Sequence, residues 1–468
     1  MKIIVPFLLV LIAILSRVYN LTFQSLWLDE IYTMTTADPK NNWLYIFAEL
    51  KNDFHPPLHY LLSNLVFKLT AFNDLVGRLL SAIIGIAGIY AMYDLGKTVE
   101  NKRTGYILAF LTIFNYYHLY HSQEVRMYIL LFLLTAVSTS LFINFIKYQS
   151  KRLLIYLVIV NILLLYTHYF GFFVIVAECI SILHLYLKRK INFNTFKMFV
   201  VGSAVMAILY FPWVPYILLS GGKDHWMSLP EPGFFFVYLY NLTGKDPVST
   251  LFIFTGLVLF VITIWRKRIN PGEEPLFYLA GYGILSIFAL AYMVSIFKPV
   301  LQLRCTIAAL PFLFLAVILG YRKLKPKFFY AALALYAISA SVNILQILNY
   351  YSKPVKENYR DITEKVINSY PNAFYISHYH RYYNYYFEQF NAPMLVNDLL
   401  DPNRNPIPLS KHQEVIVLNA HFKERLSDMK QYHLWTQELN DNFYIKKEFN
   451  LPDNETENAI LYIRKSKQ

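Results

Sequence analysis

Apolar residues in this chain gather in runs of about 16–23, the length that crosses the hydrocarbon core of a bilayer. Met127–Ile146 and Met198–Leu219 contain no charged side chain, and neither do Val248–Trp265, Pro275–Phe297 and Phe328–Ile347. Inside lipid every backbone polar group must be satisfied within the segment, so such runs are helices. The pattern predicts a mainly α, polytopic membrane protein with about eleven transmembrane helices over residues 1–350. From about residue 351 to 468 no spanning run remains and polar residues become frequent.

The formal net charge is +13. Its placement speaks for topology and against nucleic acid as a partner. Basic residues sit in the short gaps after every second run: Lys97, Lys102 and Arg103; Lys147, Lys151 and Arg152; Lys188-Arg189-Lys190; Arg266-Lys267-Arg268; and Arg322, Lys323, Lys325 and Lys327. Cytoplasmic gaps carry such excess. The expected arrangement is a multi-pass protein of the inner (cytoplasmic) membrane, with a cytoplasmic amino terminus and an extracytoplasmic tail. The first run, Ile3–Leu15, is followed by no small-residue cleavage pattern and reads as an uncleaved span. Two cysteines, Cys179 and Cys305, make a disulfide framework improbable.

Charged and titratable residues without a topological role all fall on one side by this parity. They are Asp29, Glu30, His55, His59, Arg78, Glu124, Arg126, His168 and Arg304. A channel or pump spreads such groups through the membrane depth. One-sided clustering instead suits a pocket for a substrate with its tail in lipid and its head in water. The segment 21–58 dominates this side. It holds Asp29-Glu30 behind Leu26-Trp27-Leu28, and then His55-Pro56-Pro57-Leu58-His59-Tyr60. Transfer of a group from a lipid phosphate needs a carboxylate to take the acceptor proton. It also needs cations where negative charge builds on the departing phosphate. Asp29 suits the first task, with Glu30 beside it. Arg126, Arg304 and His55 suit the second, since arginine matches phosphate bidentately. Trp27, His59, Tyr60, Arg78, Glu124, His168 and Tyr169 are candidate pocket residues. Plainer readings stand beside these. Asp29-Glu30 would cap a helix starting near Ile31, Glu124 and Arg126 would be a membrane-flank pair, and the cysteines would be packing. Glu178, alone within a span, has no assigned role.

Four stretches carry a resemblance. Leu26-Trp27-Leu28-Asp29-Glu30, His55-Pro56-Pro57-Leu58, Ser122-Gln123-Glu124-Val125-Arg126-Met127-Tyr128 and Tyr166-Thr167-His168-Tyr169-Phe170 occur in this order. Together they resemble the bacterial membrane glycosyltransferases of family 39, relatives of the protein O-mannosyltransferases and lipid A aminoarabinose transferases. The resemblance covers residues 1 to about 350. It implies the GT-C fold, a polyprenyl-phosphate sugar donor and an acidic residue of the first outer loop as base, which falls on Asp29. The expected activity is inverting transfer of a mannose-like hexose or an aminopentose to a lipid, glycan or protein acceptor. Membrane lipids are the remaining expected partners, and a divalent metal is left open as cofactor. The competing class is a transporter or flippase for lipid-linked sugars. That would show paired half-repeats and helices broken near the midplane, which the sequence does not display.

In the tail, Val355–Tyr370 has the pattern of an amphipathic helix. Ala373–Ser377, Met394–Val396, Glu414–Leu418, Phe443–Lys447 and Ala459–Ile463 read as strands, with a helix over Glu424–His433. The expectation is a small extracytoplasmic α/β domain over residues 351–468.

Overall fold

The structure is a computed structural model that describes residues 4–51, 53, 55–220, 229–270, 272–322, 324–398, 409–419, 430–451 and 454–465. The chain divides into two compact units. One comprises Met1–Leu21 with Thr36–Tyr350, the other Thr22–Thr35 with Tyr351–Gln468.

The first unit is a helical bundle. Its first elements are α1 (Ile4–Val18), then, after α2 (Leu28–Thr36) of the other unit, α3 (Trp43–Leu50) and α4 (Leu58–Leu69). There follow α5 (Asp74–Val99), α6 (Lys102–Ile113), α7 (Tyr116–Ser122), α8 (Tyr128–Tyr148), α9 (Lys151–Thr167) and α10 (Gly171–Leu187). The rest are α11 (Phe193–Tyr210), α12 (Val214–Ser220), α13 (Phe234–Leu242), α14 (Pro247–Trp265), α15 (Glu274–Leu285), α16 (Ala291–Phe297), α17 (Leu310–Tyr321) and α18 (Pro326–Val342).

Among the described residues seven helical runs are long and apolar enough to cross a membrane, and Pro6–Val18 and Gly171–Leu187 are shorter apolar helices. Length and hydropathy thus account for fewer spans than the eleven expected. One reason is the expected run Gly105–Tyr120, which is two helices. Asn115 is extended there and its side chain accepts the His118 N–H, so it caps α7 and ends the ladder of α6. At this end of α6 the carbonyls of Thr112 and Ile113 accept from the buried Arg17 at 3.0 and 2.8 Å. The prolines at 212 and 215 mark a local change only: α11 passes through a 3₁₀ turn, Phe211–Trp213, into α12, and Phe193–Leu218 still counts as one of the seven runs.

Every residue of α17 is buried, which is why its sequence is apolar on all faces. Elsewhere glycines let backbones approach. A Cβ on Gly96 of α5 would lie 2.7 Å from the Gly105 backbone of α6. Such contacts replace the hydrophobic drive that lipid removes. Glu178 finds its explanation in the same packing. Its carboxylate meets Ser138 Oγ at 2.6 Å and accepts from Asn161 Nδ2 at 2.7 Å, tying α10 to α8 and α9. Only partnered polar groups are tolerated at such depth.

The second unit holds a five-stranded sheet in the order β2-β1-β3-β5-β4. The strands are β1 (Phe374–Ser377), β2 (Asn397–Asp398), β3 (Glu414–Asn419), β4 (Phe443–Leu451) and β5 (Asn454–Arg464), with helices α19 (Tyr359–Ser369), α20 (His380–Gln389) and α21 (Lys430–Asn442). β1 runs parallel to β2 and β3, and the other pairs are antiparallel. Phe374, Ile376, Leu409, Val415, Leu439 and Phe443 form a core. The strand expected at Met394–Val396 pairs later, at Asn397. The Asn384 side chain holds both the N–H and the carbonyl of Val396, at 2.7 and 3.0 Å, so neither is left for the ladder. The helix expected over Glu424–His433 falls mostly outside the described residues, and the described helix α21 begins at Lys430.

Candidate active site

In the second unit, Asp29 and Glu30 occupy the first turn of α2, where carboxylates complement the helix dipole. The helix starts at Leu28, not near Ile31 as a capping role required. The two acids differ. Asp29 is half-buried, and its carbonyl accepts from Thr33 Oγ1. Glu30 is fully buried and its Oε2 lies 3.3 Å from Lys356 Nζ and 3.4 Å from the Trp27 amide. Trp27 itself is half-buried.

In the first unit, four chain segments converge. The turn before α4 brings Asp53 and His55, α4 brings His59 and Tyr60, the link between α7 and α8 brings Arg126, and the end of α9 brings His168. Pro57 caps α4 and no helix runs through Pro56-Pro57, so the turn keeps its shape. Asp53 Oδ1 takes His55 Nδ1 at 3.1 Å, and Asp53 Oδ2 accepts from the Tyr60 hydroxyl at 2.7 Å. With those protons committed, the Tyr60 oxygen accepts from Arg126 Nη1 at 3.3 Å. His55 Nε2 faces Arg126 Nη2 at 3.5 Å. Burial alone would raise the Asp53 carboxyl, but the charges of His55 and Arg126 and the two hydrogen bonds hold it down at about 2.

Arg126 and Arg304 both lie by the ring of Tyr128, 6.0 and 5.8 Å from its centroid. His168 packs 5.6 Å from the His55 ring and 5.8 Å from that of Tyr128. Its Nδ1 accepts the Phe170 amide, so in the neutral ring Nε2 carries the proton and meets Cys305 Sγ at 3.6 Å. Burial, then the charges of His55, Arg126 and Arg304, push the His168 pKa well down. His59 is likewise pushed to about 3, by burial first and Arg126 second. Both rings are neutral at physiological pH, whereas Arg126 and Arg304 by Tyr128 keep their charge.

Three expected pocket residues have other contacts. Glu124 is buried against His121, 2.8 Å from its Nδ1. Arg78 is buried and donates to the Leu21 carbonyl at 2.8 Å. The Tyr169 hydroxyl accepts from Trp213 Nε1 at 3.3 Å. Sequence reasoning missed Asp53, His121, Cys305 and Lys356. Asp53 stands two residues before His55, and that spacing was the available signal. Among the described residues no three His, Cys, Asp or Glu side chains gather as a metal-binding group.

Residues 54–216 match the family described as dolichyl-phosphate-mannose-protein mannosyltransferase. The chain aligns with ArnT from Cupriavidus metallidurans in the apo state at 11% identity and a TM-score of 0.64, covering 97% of each chain. The same enzyme bound to undecaprenyl phosphate aligns at 12% identity and a TM-score of 0.62, again over 97% of each. The fold is that of the GT-C glycosyltransferases. An Archaeoglobus fulgidus oligosaccharyltransferase in complex with Zn and sulfate shares it at 15% identity, with a TM-score of 0.53 over 88% of this chain and 67% of that one. No match is found among curated proteins. Within this chain His55, Arg126 and His168 lie inside the span that matches the mannosyltransferase family model, whereas Asp29, Asp53 and Arg304 lie outside it.

Proposed function

We propose that this protein is an inverting glycosyltransferase that moves a sugar from a polyprenyl-phosphate donor to a lipid, glycan or protein acceptor at the outer face of the cytoplasmic membrane. The observation that carries this reading is the pair Arg126 and Arg304, gathered at the Tyr128 ring with His55 beside Arg126. Two guanidinium groups suit a phosphate that gains charge as its bond to the sugar breaks. An apolar groove of about 430 Å³, lined by Phe47, Pro57, Leu58, Leu61, Trp213 and Tyr216 among others, begins on the turn that carries His55. It suits the isoprenoid tail. The ArnT structure with undecaprenyl phosphate supports a donor of this class.

In the proposed reaction an acceptor hydroxyl attacks the anomeric carbon. Asp29 takes its proton, and the bonding pair leaves with the phosphate toward the arginines. The α8 helix has 21 residues, about 30 Å of length, enough for Arg126 and the basic stretch Lys147–Arg152 to lie near opposite membrane faces. The sidedness proposed is an outer Arg126 end and a cytoplasmic Lys147 end. Purified protein in lipid nanodiscs, given polyprenyl-phosphate mannose or aminoarabinose, should release polyprenyl phosphate, and Arg126→Ala should lose this release. Release that is unchanged in both Arg126→Ala and Arg304→Ala would remove the assignment.

A further inference from the structure

A helix of nine residues is marginal on its own, because nucleation is unfavourable and few hydrogen bonds follow. α2 is such a helix, and it carries both acids. Its support comes from residues more than 300 positions away in the chain. The Leu28 amide, an orphan donor of the first turn, gives its hydrogen to Glu357 Oε2 at 3.2 Å, so a tail carboxylate caps the helix. Arg360 donates to the Thr22 and Phe23 carbonyls at 2.7 and 2.9 Å, and its amide reaches Ser25 Oγ at 3.1 Å. The Leu26 amide is taken by the Tyr386 hydroxyl at 2.8 Å. Lys356, its side chain 6% exposed, pairs with the fully buried Glu30.

The two members of the acid pair therefore do different work. Glu30 is engaged by Lys356 and serves as an anchor. Asp29, its half-buried neighbour, is carried on the turn that this anchor fixes. We propose that the carboxy-terminal domain positions the acidic segment for catalysis, with Lys356, Glu357 and Arg360 as positioning residues for Asp29. This rests on the reading of Asp29 as general base. A buried ion pair suits the task. It adds little net stability, but it punishes any geometry that separates its partners.

The test uses the full-length protein in nanodiscs, with kinetics and amide hydrogen exchange read together. Lys356→Met and Arg360→Ala should speed exchange across residues 22–35 about tenfold and leave residues 310–321 unchanged. Displacement of a catalytic group by about 1 Å is worth roughly a hundredfold, so kcat should fall between tenfold and a hundredfold while the donor KM holds within about twofold. Lys356→Arg, which keeps the charge, should retain more than about half of kcat. Normal kcat in a variant whose 22–35 exchange has risen would overturn the proposal, as would unchanged exchange in both variants. Arg360 is half-buried, so its variant decides the matter should Lys356→Met not fold. Asp29→Asn is the separate control. Normal turnover there removes the base assignment, while the exchange arm still decides whether the tail holds the segment.

Discussion

Tyr60 donates its hydroxyl hydrogen to Asp53 at 2.7 Å, and the same oxygen receives one from Arg126. The hydroxyl thus links the carboxylate to the guanidinium and helps set its direction. Hydrogen bonds to charged groups contribute about 1.5–3 kcal/mol, so Tyr60→Phe should lower kcat/KM for the donor roughly tenfold to a hundredfold. Asp53→Asn should do at least as much. Initial rates against donor concentration in nanodiscs check both.

Asp53 also predicts a pH dependence of stability. Its folded value of about 2 lies below the ordinary carboxylate value. The stabilisation it contributes is full above about pH 4, the unfolded value, and disappears as pH falls through about 2. Thermal unfolding of the wild type and Asp53→Asn in detergent should therefore differ most at neutral pH and converge near pH 2.

Arg126→Lys and Arg304→Lys keep the charge and lose the guanidinium fork, whose geometry matches two phosphate oxygens. Each should weaken donor phosphate binding by roughly tenfold or more, with the fold intact. Isothermal titration with polyprenyl phosphate reads this directly. Equal affinity in both lysine variants would exclude bidentate recognition.

Asp29→Asn and Glu30→Gln should separate into different phenotypes. Loss of a general base lowers turnover about a hundred- to ten-thousand-fold and leaves the melting temperature near wild type. Loss of the Glu30 charge leaves Lys356 with its ammonium buried against a neutral amide, so Glu30→Gln should lower the melting temperature. Turnover and differential scanning fluorimetry on the same preparations give both numbers.

Reporter fusions at Lys190 and at Gln468 should report opposite sides of the membrane, following the basic gaps. The same side for both would overturn the proposed orientation.

The bundle was readable because apolar runs of spanning length have few other solutions, and His55-Pro56-Pro57 marked where a helix must begin afresh. The break at Asn115 was harder to see. An asparagine ends a helix only when its side chain turns back on the following amides, which composition does not reveal. Glu178 was opaque for a similar reason: its partners Ser138 and Asn161 come from two other helices. The pairing of Glu30 with Lys356 spans 326 positions and belongs to tertiary structure alone. Asp53 was overlooked because a single acid beside a motif has the look of an ordinary surface carboxylate until its two hydrogen bonds are seen.

Arg17 carries a consequence for biogenesis. As α1 enters the bilayer during synthesis, the carbonyls of Thr112 and Ile113 that will receive its guanidinium have not yet been made. An arginine in the middle of a membrane helix costs about 2.5–3.5 kcal/mol on insertion scales, less near an interface. The first helix is therefore delivered in a provisional state. Its guanidinium gains the Thr112 and Ile113 carbonyls and His118 only once α6 and α7 have been made.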